Sequence, residues 1–310
     1  MRRDPWRVLV VAALASLVTA VTVSRWMRGL SPLRADLVRR HARGESPGDE
    51  RLTVVVPAFM EEERIGTTVQ RLRRALDTVA AYGGLEVLVV DDGSSDATAA
   101  EAEAAGAVVV RHDLNRGKGA AVRTGVLAAR GRTIVFTDAD LAYAPEQIPR
   151  LVELVEQGWD VVVGSRSHDD TTELVRARRL REIGGRGINL LTRAVLLGQH
   201  RDTQCGLKAF RSDVARLIFT HGRVDGFAFD VEVFHLVERY HLSLTEVPVT
   251  IENSGRSSVH VVRDALRLVG DLFRVRQWSV EGRYDLTADD LLDAASRGAP
   301  QPGSGGSGLR

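Results

Sequence analysis

A chain of 310 residues, 44% apolar and 27% charged, has the composition of an ordinary globular protein; this excludes collagen-like and wholly disordered chains. Lys+Arg 42 against Asp+Glu 41 leaves a net charge of +1, so bulk charge gives no reason to expect a nucleic-acid partner. The single cysteine, Cys205, excludes an internal disulfide framework and a cysteine-rich zinc site.

The first predicted element stands apart from the rest. Val8–Val23 is an uncharged apolar run bracketed by Trp6 and Trp26, which a helix would separate by about 30 Å, the thickness of a bilayer core. It reads as a transmembrane anchor over 1–28 rather than a cleaved signal or a buried core helix, because no clean small-x-small cleavage site follows and Arg25 and Arg28 stand just beyond it. Arg2, Arg3 and Arg7 precede the run, whereas Arg25, Arg28, Arg34, Arg39, Arg40 and Arg43 follow it. The positive-inside rule then predicts a single-pass protein of the cell membrane with everything after Ser24 facing the cytoplasm. Residues 29–50 form a basic juxtamembrane linker.

The main folded domain is predicted over 51–258. LTVVV (52–56), LEVLVV (85–90), AVVVR (107–111), TIVFT (133–137) and DVVVG (160–164) are short, β-branched and almost continuously apolar. Amphipathic stretches such as Glu62–Ala80 and Glu146–Gln157 lie between them. This alternation predicts an α/β fold: a Rossmann-like, mostly parallel sheet with helices on both faces. Thr171–Ser212 is arginine-rich and less regular; a helix near Asp230–Tyr240 and a strand near Leu244–Ile251 follow. Val259–Trp278 carries a helical apolar stripe, which predicts an amphipathic helix over 259–285 lying on the membrane surface. From 286 to 310 the sequence is that of a flexible tail.

Neither common nucleotide motif is present. The first strand runs into PAFMEEER rather than a G-x-G-x-x-G turn, and NRGKGAA (115–121) lacks the Walker A spacing. Carboxylates stand at the strand ends instead, where open α/β sheets bind ligands. Asp91 and Asp92 end the second strand; such a pair can accept hydrogen bonds from a base and a ribose, or simply belong to an Asp-Gly turn with a helix cap. Asp138 and Asp140, alternating at the end of the fourth, can share a hard divalent cation with phosphate oxygens, or be solvated loop residues. Of the basic residues only Lys118 and Lys208 are lysine, each close to a glycine, and the compact ammonium of Lys208 suits phosphate. The histidines show no ligand spacing, Cys205 has no base patterned around it, and the Arg176–Arg186 run is either a solvated helix face or a grip on an anionic acceptor.

Taken in order, VVVPAFMEEERI (54–65), VVDDGSSDAT (89–98), NRGKGAAVRTG (115–125), FTDADL (136–141), VVGSR (162–166), TQCGLKAFR (203–211) and FAFDVEV (227–233) resemble the motifs of family 2 glycosyltransferases with the GT-A fold. Within that family the likeness is greatest to polyprenyl-phosphate sugar synthases of the dolichyl-phosphate glucose type. The resemblance implies an inverting transfer of a sugar, glucose first, from a nucleotide sugar to a polyprenyl phosphate at the membrane, with Mg²⁺ or Mn²⁺ as cofactor. It implies that Pro57, Ala58, Glu61, Asp91, Asp92 and Lys118 line the nucleotide pocket, and that Asp138 and Asp140 hold the ribose–diphosphate and the metal. Arg166 is expected at phosphate, Gln204, Gly206 and Lys208 near sugar and acceptor, and Asp230 with Glu232 at the reacting centre; Asp140, Asp230, Arg166 and Lys208 are the expected catalytic set. Two departures are visible. Met60 replaces the asparagine of many members, and Ala142 the glutamine frequent in mannose synthases, which favours a UDP-sugar over GDP-mannose. Transfer to a glycolipid or polysaccharide hydroxyl with Asp230 as base, and non-catalytic nucleotide-sugar binding, remain as alternatives.

Overall fold

The computed structural model describes residues 48–166, 171–173, 205–252 and 261–287, and every side chain among them except those of 172–173 and 261–268. Val8–Val23, most of the basic linker, Arg176–Arg186, Gln204 and the tail beyond 287 lie outside the described residues. Among the described residues no helix is long and apolar enough to cross a membrane.

In chain order the elements are β1 (Glu50–Ala58), α1 (Ile65–Ala75), α2 (Asp77–Ala81), β2 (Leu85–Asp91), α3 (Thr98–Ala104), β3 (Val108–Arg111), α4 (Lys118–Ala128), β4 (Gly131–Phe136), α5 (Ile148–Glu156) and β5 (Val161–Ser165). They continue with β6 (Thr172–Glu173), β7 (Lys208–Arg211), α6 (Ser212–His221), α7 (Phe229–Arg239), β8 (Leu244–Pro248), β9 (Thr250–Ile251) and α8 (Val261–Val280). The main sheet has 7 strands in the order β3-β2-β1-β4-β7-β5-β8. All pairings in it are parallel except those of β7, which runs antiparallel to both β4 and β5.

Alternation along each strand sends side chains to two cores. Val54, Val56, Val87, Val89, Val135 and Val162 face α1, α2, α3 and α5. Val55, Leu88, Val90, Ile134, Phe136, Val161, Val163 and Phe210 face α4, α6 and α7. Burial on both faces explains why these strands read as unbroken β-branched runs. Helix α4 can lie close to the sheet because it is built from small residues: a Cβ on Gly125 would meet the Val55 side chain.

Some stretches of the chain differ from the sequence expectation. The stretch predicted over Glu62–Ala80 is two helices, broken at Leu76. β7 occupies the end of the segment that shows no regular pattern and makes the sheet mixed, and α6 follows directly from Ser212. Over the described side chains of α8, Leu272 and Val275 of the apolar stripe are buried in the core beside Tyr284, whereas Phe273 of the same stripe is exposed.

Candidate active site

The carboxyl ends of β1, β2 and β4 share one edge of the sheet, together with that of β5. Since β7 is antiparallel, its amino end, preceded by Gly206, comes to the same edge. Topology therefore gathers residues from five strands that are far apart in sequence.

At the end of β4, Thr137–Ala142 makes a tight turn. The Leu141 N–H donates to the Asp138 carbonyl at 3.1 Å, and Leu141, a buried branched residue, is held at φ 46°. A non-glycine residue in the left-handed region costs about 1–3 kcal/mol, which surrounding contacts must offset. Two contacts do so. The Ala142 N–H donates to Asp140 Oδ1 at 3.1 Å, and the buried Thr68 hydroxyl of α1 donates to the Ala139 carbonyl at 2.6 Å. Thr68 thus pins the residue between the two aspartates, a role with no signal in the sequence beyond an apolar helix face carrying one hydroxyl.

Lys118, the first residue of α4, places Nζ 2.6 Å from Asp138 Oδ1, and both side chains are partly exposed. Burial alone would lower the Lys118 pKa, but the carboxylates of Asp138, Asp230 and Asp140 outweigh it and the ammonium is held firmly protonated. Asp140 is shifted the other way: burial, then the neighbouring Asp138, push its carboxyl above the usual range against the Ala142 N–H, Lys118 and Arg64. Glu61 is raised by burial as well, and it feels Asp140 while pairing with Arg64 at 2.7 Å. Gly206 lies directly against this cluster, since a Cβ there would overlap the Asp138 carboxylate.

Asp91 and Asp92 divide the end of β2 between them. Asp91 Oδ1 accepts the Ser94 N–H at 2.9 Å. Its Oδ2 lies 3.2 Å from Arg111 Nε, paired by charge yet out of hydrogen-bonding line, so that this buried oxygen receives no hydrogen bond. Asp92 is fully engaged by the protein: it accepts from His112 Nδ1 at 2.7 Å, Arg116 N at 3.0 Å and Gly117 N at 2.8 Å. The carboxylate can only accept, so Nδ1 of His112 carries the proton, and Nε2 meets the Thr124 hydroxyl at 2.9 Å. Asp92 was expected at the nucleotide; its oxygens instead fasten the turn that presents Lys118. Pro57 and Ala58 end β1 alongside, with the Asp92 N–H donating to the Ala58 carbonyl at 2.8 Å.

Lys208 and Glu232 also depart from expectation. Lys208 has no exposed surface: Nζ donates to the Cys205 carbonyl at 2.6 Å and to Asp230 Oδ1 at 2.7 Å, and sits 5.1 Å from the Phe136 ring centre. A phosphate cannot reach it in this arrangement, and its contact is with Asp230. Burial, the largest influence, raises the Asp230 carboxyl pKa in spite of Lys208 and Lys118. Glu232 is two residues further along α7 and therefore points elsewhere. It accepts from Arg223 N and Val224 N, both at 2.9 Å, and from the Tyr284 hydroxyl at 2.6 Å, away from the expected reacting centre. Arg166 is exposed, one residue beyond β5.

The structure thus brings together Asp138, Asp140, Lys118, Gly206, Glu61 and Asp230, with Asp91 at the adjoining strand end. Among the described residues no three His, Cys, Asp or Glu side chains form a ready-made metal cage. The two hard carboxylate donors of Asp138 and Asp140 suit a Mg²⁺-type ion whose coordination diphosphate oxygens complete.

Comparison with known proteins shows the family and the fold. The profile of Glycosyl transferase family 2 matches residues 53–219. The chain is similar to the dolichyl-phosphate beta-glucosyltransferase of Drosophila melanogaster, 36% identical over 247 residues that cover 74% of this chain and 76% of that one. It is also similar to the human dolichyl-phosphate beta-glucosyltransferase, 29% identical over 256 residues, covering 76% and 78%. Its fold is that of the Mycobacterium tuberculosis glucosyl-3-phosphoglycerate synthase solved with Mn²⁺, UDP-glucose and phosphoglyceric acid: TM-score 0.55, 21% identity, 83% and 86% of the two chains covered.

Proposed function

The chain is a glycosyltransferase belonging to family 2, and from that membership we propose that it moves glucose from a UDP-sugar to a polyprenyl phosphate, with inversion at the sugar carbon. The observation that carries this reading is the half-open cluster at the end of β4, where Asp138, Asp140 and Lys118 stand beside the unfilled oxygen of Asp91. A nucleotide base offers the N–H donor that Asp91 Oδ2 lacks, and a buried acceptor left unsatisfied is costly. The fly and human relatives, named for dolichyl phosphate and glucose, support the acceptor and the sugar. The apolar Val8–Val23 run supports a membrane anchor, with the catalytic domain on the cytoplasmic side.

When bound by Asp138 and Asp140, Mg²⁺ or Mn²⁺ supplies positive charge to the departing diphosphate. Lys118 stands where it can exchange Asp138 for a diphosphate oxygen, giving a point contact to the same negative charge. A phosphate oxygen of the acceptor attacks the anomeric carbon, and the bond to the diphosphate breaks with its electron pair staying on the diphosphate oxygen. No proton has to leave the nucleophile, because a phosphate monoester is largely ionised at neutral pH. Asp230, tied to Lys208, orients the site rather than acting as a strong base. Arg166, exposed at the β5 end, meets the acceptor phosphate.

A second reading, transfer to a hydroxyl, draws on the raised pKa of Asp230, which suits a general base. One assay separates the two. The purified full chain is incubated with radiolabelled UDP-glucose, other UDP-sugars or GDP-mannose, and with polyprenyl phosphate or the free polyprenol. Label from UDP-glucose should enter polyprenyl phosphate only. Equal transfer to polyprenol or to a sugar hydroxyl would overturn the acceptor assignment, and label from GDP-mannose alone would overturn the donor.

A further inference from the structure

Glu232 lies off the reacting centre, yet it is nearly completely buried and is satisfied by donors from two separate parts of the chain. Its partners form a continuous path from the end of α8 to Lys118. The Tyr284 hydroxyl donates to Glu232 Oε1 at 2.6 Å, and the same carboxylate accepts the N–H groups of Arg223 and Val224, both at 2.9 Å. These two residues belong to the loop 222–226. Arg123 of α4 ties down both its ends, donating to the Gly222 carbonyl at 3.1 Å and pairing with Asp225. The Asp225 carbonyl accepts the Ala120 N–H at 3.2 Å.

The glycines on either side of Lys118 close the path. A Cβ on Gly117 would overlap the Asp225 carbonyl, and one on Gly119 would overlap the Val224 carbonyl. Gly117 also stands at φ 104°, a conformation that favours glycine. The backbone turn that presents Lys118 is therefore moulded on loop 222–226, and that loop is held from behind by Glu232. Tyr284 is itself fixed by the docking of α8. Its carbonyl accepts the Tyr240 hydroxyl at 2.9 Å, its ring meets those of His235 and Trp278, and Arg239 binds Ser279 at 3.1 Å and Asp285.

We propose that Tyr284 and Glu232 are positioning residues for the donor site, so that the seating of α8 on the domain sets how tightly Lys118 holds the diphosphate. The proposal rests on the reading that Lys118 meets the donor. Burial raises the Glu232 carboxyl pKa, and the Tyr284 hydroxyl and the backbone N–H groups oppose this. Removing the hydroxyl leaves the carboxylate short of a donor, and it must shift together with the loop it holds.

The test uses the full chain in lipid nanodiscs, with UDP plus Mg²⁺ as the binding probe. Tyr284→Phe keeps the ring and its packing. It should raise the UDP Kd and the UDP-glucose KM together by about 3- to 10-fold, with kcat within about twofold, as coupling through packed networks commonly does. In a Lys118→Met background, which by itself should weaken UDP binding, Tyr284→Phe should add almost nothing, because the path ends at Lys118. If Lys118→Met weakens UDP binding while Tyr284→Phe leaves it unchanged, or if the two effects multiply independently, this inference is wrong and the donor-site reading stands. If Lys118→Met leaves UDP binding unchanged, the reading of Lys118 falls and takes the inference with it. Should Tyr284→Phe fail to fold, Glu232→Gln keeps the size of the side chain but weakens its hold on the Arg223 and Val224 N–H groups, and it must by itself raise the UDP Kd and the UDP-glucose KM; an unchanged Kd there also overturns the inference.

Discussion

The chain uses lysine twice, and the two regions that hold these lysines are built alike at first sight. Each ammonium follows a glycine by one or two residues and each pairs with an aspartate, Lys118 with Asp138 at 2.6 Å and Lys208 with Asp230 at 2.7 Å. Their surroundings differ. Lys118 and Asp138 are 22% and 29% exposed, whereas Lys208 and Asp230 are 0% and 7% exposed. Lys118 sits on a turn fastened by Asp92, facing other carboxylates; Lys208 is closed in by Phe136, Phe234 and the Cys205 carbonyl. Equal ion-pair lengths therefore conceal different work. The first pair can trade one partner for a ligand, while the second is part of the fold because neither charge has water to fall back on.

The sharpest way to break this comparison is to neutralise the inner ammonium. Lys208→Met leaves the Asp230 carboxylate buried and unpaired, and removing one partner of such a pair costs about 3–5 kcal/mol. Chemical denaturation of the variant should show that loss. A stability close to wild type would mean that Lys208 is not the structural lysine.

Next in size is the open cluster itself. Asp140→Asn keeps the Ala142 contact through its side-chain oxygen but removes charge from the proposed cation site. Its turnover should fall by about 100-fold or more while its unfolding midpoint stays near wild type. EDTA should abolish transfer in the wild type, and Mg²⁺ or Mn²⁺ should restore it; full activity in EDTA would reject the metal assignment.

The outer lysine should answer in binding rather than stability. Lys118→Met ought to raise the UDP-glucose KM by about 10-fold, the value of a hydrogen bond to a charged group, and change stability by less than about 1 kcal/mol. A stability loss like that of Lys208→Met would erase the distinction between the two regions.

The sequence showed much of this, and what it hid has physical reasons. β1, β2, β4 and β5 are buried on both faces, so their apolar runs are unbroken and easily read. Asp138 and Asp140 were legible because alternating carboxylates at a strand end are costly unless something uses them. β7 was not legible: it has 4 residues, one of them a lysine, and its burial depends on Asp230 from a distant helix. Helix α6 carried a usable signal in Val214, Ala215, Ile218 and Phe219, all buried, which the arginine-rich approach to it obscured. No local pattern announces that Asp92 and Glu232 accept backbone N–H groups from loops far along the chain, or that Thr68 and Tyr284 supply hydroxyls to the site's supports.

The smallest expected effect concerns protons, and it tests the inner pair from the side of its acid. Burial raises the Asp230 carboxyl pKa, while Lys208 first and Lys118 second pull it down. The folded protein thus holds this proton more tightly than the unfolded chain does. The stability that follows is fully present below the ordinary aspartate range and is lost as pH rises through the folded value. Taking away Lys208 removes the strongest downward pull, so the folded value climbs and the proton stays on to higher pH. A protonated Asp230 is neutral, and a neutral carboxyl beside a methionine no longer carries an unpaired charge. The deficit of Lys208→Met should therefore shrink on acidification: the gap in Tm between variant and wild type should be narrower by about 2–4 °C at pH 5 than at pH 7.5. Lys118→Met should show the same trend more weakly, because Lys118 is the second of the two pulls. If the Lys208→Met gap were constant with pH, the destabilisation would come from lost packing around the lysine stem, and Asp230 would not be its charged partner.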